Sequence, residues 1–190
     1  MKKIIITLFL CLLAASAFAQ DIQIGFTTES AAAKLVGTKG SVIKKEEFKQ
    51  ENFTGSLSGS GNFRPAIITD IRTGAKTPYI AVTSSDNGIT QVSYLDYDEF
   101  SSCIEALEYI GESELDNKLN YKEISSVEVC YISKDGLQIG VINRGGIGRW
   151  QLFILQGKYA RPVYIAMSAR ELKKLVAYLK DTKVFLEERL

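Results

Sequence analysis

The chain has 190 residues, of which 46% are hydrophobic and 24% are charged, with a formal net charge of +1 and no histidine. This composition fits one ordinary globular domain and excludes a disordered chain, a strongly basic nucleic-acid binder and a cysteine-rich mini-protein. The missing histidine excludes Ser-His-Asp and Cys-His catalysts and removes the commonest metal ligand.

Residues 1–19 have the pattern of a secretory signal peptide. Two lysines precede an apolar stretch from Ile4 to Leu13, and the triplet Ala17-Phe18-Ala19 matches a cleavage site. That stretch is short for a membrane span, and no second run of about 18 apolar residues follows it. We therefore predict export to the periplasm, the cell surface or the medium, with no transmembrane segment after cleavage. Loss of the two lysines changes the formal charge from +1 to −1.

Residues 20–40 form a weakly patterned N-terminal segment with one or two predicted helical turns near residues 30–35. From residue 41 onward we predict a single α+β domain made of two similar units, 41–112 and 121–182. In the first unit, β-branched runs predict strands at 41–48, 65–72, 78–83 and 88–95, and the glycine- and serine-rich residues 50–62 predict a flexible loop.

A helix completes each predicted unit. In the first, apolar residues recur at i, i+3, i+4 and i+7 from Phe100 to Ile110, and Gly111 is expected to end the helix. The second unit repeats this order, with predicted strands at 125–132, 137–143, 150–155 and 162–167 and then a helix capped by Ser168 with Glu171. The apolar stripe of that helix consists of Leu172, Leu175, Val176 and Leu179.

An offset of 72 residues aligns the two units without gaps over their best-matching part. Asp96 then falls on Ser168, Glu99 on Glu171, and the helix stripes coincide. The match predicts a tandem β-β-β-β-α duplication that forms an antiparallel sheet of about eight strands with two helices on one face, either as one continuous sheet or as two sheets packed side by side. The alternative is that any two β-meanders, each followed by a helix, will match in pattern.

The sequence contains one acidic cluster, which consists of Asp96, Asp98 and Glu99. Such a cluster is typical of a calcium site or of a pair of catalytic carboxylates. The residues that follow do not match a calcium loop, because Phe100 and Ser102 stand where ligands belong. A capping box between Asp96 and Glu99 explains the acids better. The sequence therefore predicts no catalytic residue, no metal site and no cofactor.

Basic residues gather at the predicted hairpin loops, beside the single tryptophan. If the units are related by symmetry, these loops could form a shared rim for an anionic glycan, a lipid head group or an acidic protein. Solvated turn charges are the simpler explanation, and strand alternation places Trp150 in the core rather than on a stacking platform. The candidate binding residues are Arg72, Lys76, Arg144, Arg149, Trp150, Lys158 and Arg161.

After cleavage the chain keeps two cysteines, Cys103 and Cys130. Export permits one disulfide between them. The alternative is two small buried hydrophobic side chains, with Cys103 on a helix and Cys130 on a strand.

Three stretches, 68–76, 94–100 and 104–110, resemble uncharacterised secreted proteins of Bacteroidetes that contain a domain of unknown function. The similarity covers residues 41–180 and consists of strand, turn and helix-cap motifs. It implies an exported domain of the same kind and carries over no catalytic residue.

These observations favour an exported, non-enzymatic binding or inhibitor-like module whose partner is a protein, glycan or lipid of the cell envelope rather than a nucleic acid. One alternative is a carrier of a hydrophobic ligand in a cavity between sheet and helices. The other is a carboxylate-based envelope enzyme that acts on a glycan or peptide.

Overall fold

The computed structural model describes residues 28–56, 59–115, 124–144, 149–157 and 162–190. The predicted signal peptide, the start of the N-terminal segment and two of the candidate binding residues, Lys158 and Arg161, lie outside these ranges. In chain order the first half contains α1 (Ala31–Gly37), β1 (Ile43–Glu47), β2 (Glu51–Thr54), β3 (Ser60–Asp70), β4 (Lys76–Asp86), β5 (Ile89–Asp96) and α2 (Phe100–Tyr109). The second half contains β6 (Ser126–Ile132), β7 (Leu137–Arg144), β8 (Trp150–Gln156), β9 (Val163–Ser168) and α3 (Glu171–Glu187).

The strands form two antiparallel sheets. The first has the order β1-β3-β4-β5, and β2 pairs with the other end of β3, so that β1 and β2 share one edge. The second has the order β6-β7-β8-β9. From β3 to β5 and from β6 to β9 each strand pairs with its neighbour in the chain, as short connections favour, whereas β1 pairs with β3 rather than with β2.

The main core lies between the two sheets and the helices α2 and α3. The helix stripes supply Phe100, Cys103 and Leu107 from α2 and Leu172 and Leu175 from α3, all 2% exposed or less. The two helices run antiparallel, since Ser101 near the start of α2 contacts Lys183 near the end of α3. Burial of these side chains stabilises the fold by about 1.5–3 kcal/mol each.

A second, smaller core lies on the opposite face of the first sheet. Helix α1 covers this face, and Ala32 packs there with Ile68 and Tyr79. The prediction of an α+β fold with antiparallel pairing is thus confirmed. Of the two predicted arrangements, the structure has two sheets rather than one continuous sheet. The prediction of about eight strands and two helices on one face is wrong, because the described residues form nine strands and three helices.

The glycine- and serine-rich stretch 50–62 is not a flexible loop where the structure describes it. Phe53 is 1% exposed in β2, and Ser56 N donates to the carbonyl of Ala166 in β9, 2.7 Å away. A Cβ atom on Gly61 would lie 3.1 Å from the Cδ1 atom of Ile154 in the second sheet. The small residues therefore allow this hairpin to approach the second sheet closely.

The two halves share one order of elements: an edge strand, a three-stranded meander and a helix. Two pairs of residues separated by 72 positions contact each other. Gln156 Nε2 donates to Ser84 Oγ at 3.0 Å, and Lys180 pairs with Glu108. Contacts between equivalent positions occur at a twofold axis, so these pairs agree with a pseudo-twofold relation between the halves.

Candidate functional site

A groove of about 640 Å³ separates α2 from α3, on the side where α2 ends and α3 begins. Its size lies in the range of small-ligand sites. Gly111, in the wide helical turn after α2, and Ala169, just before α3, contribute small side chains that leave this space open. The lining residues are Leu107, Glu108, Gly111, Glu112, Leu115, Ala169, Arg170, Leu172, Lys173, Val176, Ala177 and Lys180.

At the other end of the helix pair, the positions offset by 72 residues from those of the groove hold larger side chains. Tyr97 holds the position equivalent to Ala169, and its half-buried ring packs on Phe100 with the ring centroids 5.4 Å apart. Lys183, equivalent to Gly111, donates to Ser101 Oγ at 2.8 Å across the helix pair. The groove is therefore open at one end because residues 72 positions apart differ in size.

The two walls of the groove carry opposite charges. From Phe100 to Leu115 the charged residues are all acidic, and Glu108 and Glu112 reach the groove. The opposite wall contributes Arg170, Lys173 and Lys180. Within the described part of the chain, one ion pair, Lys180 with Glu108, crosses the groove, and Glu112, Arg170 and Lys173 make no salt bridge.

A second cluster, the carboxylate junction, consists of Asp96, Glu99 and Asp135, which are 1–4% exposed. The Asp96 carboxylate caps α1, because it accepts from Ala31 N at 2.6 Å and Ala32 N at 3.2 Å. It also accepts from the hydroxyl of Ser30 at 2.9 Å. A residue at the end of β5 thus fixes a helix more than sixty residues earlier in the chain.

The other two acids join the first sheet to the β6–β7 hairpin. Glu99 accepts from Lys134 N at 2.7 Å, from the Tyr131 hydroxyl at 3.2 Å and from Asp96 N at 3.1 Å. Asp135 accepts from Tyr94 N at 2.8 Å. Burial raises the pKa of Glu99, and the hydrogen bonds from its neighbours oppose that shift.

Asp96, Asp98 and Glu99 place their carboxylate oxygens within 4.8 Å of one another. Both oxygens of Asp96 and both of Glu99 accept hydrogen bonds from the protein, and Asp98 pairs with Lys134. The predicted capping box between Asp96 and Glu99 is present. The cluster is therefore occupied in holding α1, β5 and the β6–β7 hairpin together.

The basic loop residues do not form one rim. Lys76 donates to the carbonyl of Arg189 at 2.8 Å, beyond the end of α3. Arg144 ends β7 and Arg149 directly precedes β8, and Gln151 in β8 pairs with Ser168, shortly before α3 begins. Since α3 has 17 residues and is about 25 Å long, these loops lie at opposite ends of it.

Individual candidates have partners of their own. The guanidinium of Arg72 donates to the carbonyl of Gly40 at 3.2 Å, and that of Arg144 lies 5.1 Å from the centre of the Tyr164 ring. Trp150 is half-buried and packs against the main core, so it is no exposed stacking platform. Of the seven candidates, only Arg149 is described with neither a partner nor burial.

Both cysteines are free thiols. Cys103 is buried in the main core, and burial raises its pKa to about 12, which keeps the thiol protonated at neutral pH. Cys130 lies in β6 with its thiol beside the Gln138 side chain. Its side chain is on the face of β6 opposite to Val129 and Tyr131, because alternate strand residues point in opposite directions.

The sequence reasoning missed the groove. Its signal was the difference between equivalent positions, Ala169 against Tyr97 and Gly111 against Lys183.

No protein-family model matches the chain, and no curated protein matches it in sequence. No helix among the described residues is long and apolar enough to cross a membrane.

Proposed function

We propose that the protein is an exported, non-enzymatic binding module and that the groove between α2 and α3 is its binding site. The observation that carries this proposal is the asymmetry of the helix pair. The groove remains open at Ala169, whereas Tyr97 occupies the equivalent position at the other end. An open apolar groove is costly to keep in a folded protein unless it is used, because filling it would add burial and dispersion contacts.

The competing functions have less support. A carrier of a hydrophobic ligand needs a cavity between sheet and helices, but large side chains such as Phe63, Leu95 and Leu107 are fully buried there. A carboxylate enzyme needs acids that a substrate can reach. In the acidic cluster of Asp96, Asp98 and Glu99, the first and last are buried and hydrogen-bonded within the fold, and the exposed Asp98 pairs with Lys134.

The test fills the groove with the side chain found at the equivalent position of the first unit. Ala169→Tyr places at the groove the side chain that fills the equivalent position, so the variant is expected to fold and to lose the groove. We expect wild-type protein to enhance the fluorescence of anilinonaphthalene sulfonate and A169Y to lose this enhancement at least about fivefold. The matched control is Ala75→Tyr on an exposed turn, which should behave as wild type. Equal dye binding by A169Y and wild type would reject the groove as the site.

Export is tested separately. The predicted signal peptide, residues 1–19, should direct a fused reporter out of the cytoplasm, and the exported protein should begin at Gln20 by N-terminal sequencing. Retention of the fusion in the cytoplasm would contradict export without affecting the groove.

We also infer that the units arose by duplication. The shared order of elements and the contacts of Ser84 with Gln156 and of Glu108 with Lys180 support this inference. In an experimental structure, superposing the two units at the 72-residue offset should require a rotation near a half-turn. A match at another offset would contradict it.

A further inference from the structure

Under the proposed binding function, we propose that the groove takes an amphipathic helix of another protein, with acidic residues along one flank and basic residues along the other. The proposal rests on the shape, length and charge of the two groove walls.

The shape of the groove suits a helix. Its walls are two antiparallel helical segments. Its accessible apolar side chains are the half-buried Leu115 and Val176, and Leu107 and Leu172 form its buried floor. From Leu107 to Leu115 the wall extends over about 12 Å at 1.5 Å per residue, and from Leu172 to Lys180 over a similar length. This length admits two to three turns of a helix, which would present apolar anchors at i, i+3, i+4 and i+7.

The charge of the walls selects the flanks of that helix. Acidic side chains on its α3 flank would face Arg170 and Lys173, and basic side chains on its α2 flank would face Glu112. Opposite charges across an interface set orientation and suppress wrong partners. A fatty acid or lipid fits less well, because a single anionic head group attracted by Lys173 is opposed by Glu108 and Glu112 on the facing wall.

The probes are three labelled peptides of about 18 residues, long enough to be partly helical alone. They share one leucine stripe and carry acidic and basic flanks, two acidic flanks, or two basic flanks. We expect the mixed-flank peptide to bind tightest by fluorescence anisotropy. Val176→Lys should remove the binding of this peptide, whereas Val184→Lys, an exposed site two turns further along α3, should leave it unchanged.

Charge reversal separates specific recognition from apolar adhesion. Glu112→Lys or Lys173→Glu should each weaken mixed-peptide binding about fivefold, with Lys49→Glu outside the groove as the control. The double variant E112K/K173E exchanges one charge between the walls and leaves Arg170 in place, so a mixed-flank peptide turned end for end should bind it more tightly than either single variant. Circular dichroism of each variant confirms that it folds.

Each other outcome overturns the proposal. Tighter binding of a uniformly charged peptide would reject the mixed-flank helix as the ligand. Tighter binding of a fatty acid of about sixteen carbons would make a lipid the ligand. Dimerisation that V176K removes, seen by sedimentation velocity, would make a second copy of this chain the occupant. If dye binds and A169Y removes it while none of the peptides binds, the groove remains the site and only the helical partner is rejected.

Discussion

The two halves of the molecule follow one topology but stabilise it by different interactions. In the first half, the step from β5 to α2 contains Asp96 and Glu99, which are buried and together accept hydrogen bonds from α1, β5 and the β6–β7 hairpin. At the equivalent step in the second half, Ser168 is exposed and accepts only a local bond from Arg170 N at 3.3 Å. Equivalent position in the fold therefore does not imply an equivalent role.

The same contrast appears between Ile68 and Gly140, which also lie 72 positions apart. The Ile68 side chain is fully buried beneath α1. At Gly140 the strand β6 approaches so closely that a Cβ atom would lie 2.1 Å from the carbonyl oxygen of Val129. One half uses a helix to cover this position, and the other brings two strands together.

This contrast is tested most strongly at Gly140. Gly140→Ala should destabilise the protein by at least about 3 kcal/mol, because the clash is with backbone that cannot move aside. The matched control is Gly157→Ala, where a Cβ atom would meet nothing within 4 Å. Urea denaturation measures both. A Gly140→Ala variant as stable as Gly157→Ala would show that β6 does not lie so close.

The next largest effect separates Asp96 from Ser168. Asp96→Ala leaves the N–H groups of Ala31 and Ala32 and the hydroxyl of Ser30 without their acceptor, which should cost about 2–4 kcal/mol. Ser168→Ala should cost less than about 1 kcal/mol because it loses one weak exposed bond. Hydrogen exchange should also show α1 opening in the Asp96 variant. Similar losses at both sites would contradict the difference between the halves.

Glu99 should make the stability of the folded protein depend on pH. Because burial raises the pKa of Glu99, the folded protein holds this proton more tightly than the unfolded chain does. Ionised Glu99 therefore lowers stability, and this cost disappears as pH falls from the folded pKa through the unfolded value of 4.5.

Relative to Glu99→Gln, the wild type should gain stability between pH 7 and pH 4.5, by about 1.4 kcal/mol for each unit of pKa difference. Thermal unfolding of the wild type and of Glu99→Gln at several pH values measures this difference. A pH-independent difference for Glu99→Gln would mean that its pKa is not raised.

The smallest effect compares the two contacts between equivalent positions. Glu108 and Lys180 are 39% and 52% exposed, so a double-mutant cycle with alanine should give a coupling below about 1 kcal/mol, which salt reduces. Ser84 and Gln156 are fully buried, and their cycle should give a larger coupling that salt does not change. A larger coupling for Glu108 with Lys180 than for Ser84 with Gln156 would show that the surface pair contributes more to stability.

Local pattern alone predicted most strands, both long helices and their buried stripes. Strand alternation and helical periodicity are properties of neighbouring residues, so the runs around the Thr73-Gly74 and Asp135-Gly136 turns and the stripe from Phe100 to Ile110 could be read directly. The predicted cap at Ser168 was wrong, since α3 begins at Glu171 with Arg170 as its N-cap. Where a helix begins depends on hydrogen-bond partners far away in the chain, which local pattern does not include.

What the sequence by itself determined is the class of fold, the order of elements in the second unit and the capping box of Asp96 with Glu99. What only the tertiary structure decided is the division into two sheets, the capping of α1 by Asp96 and the groove at Ala169. These features depend on contacts between residues far apart in the chain. Whether a side chain of a given size fills a space or leaves it open depends on the side chains that face it. Those facing side chains are fixed only when the two halves come together.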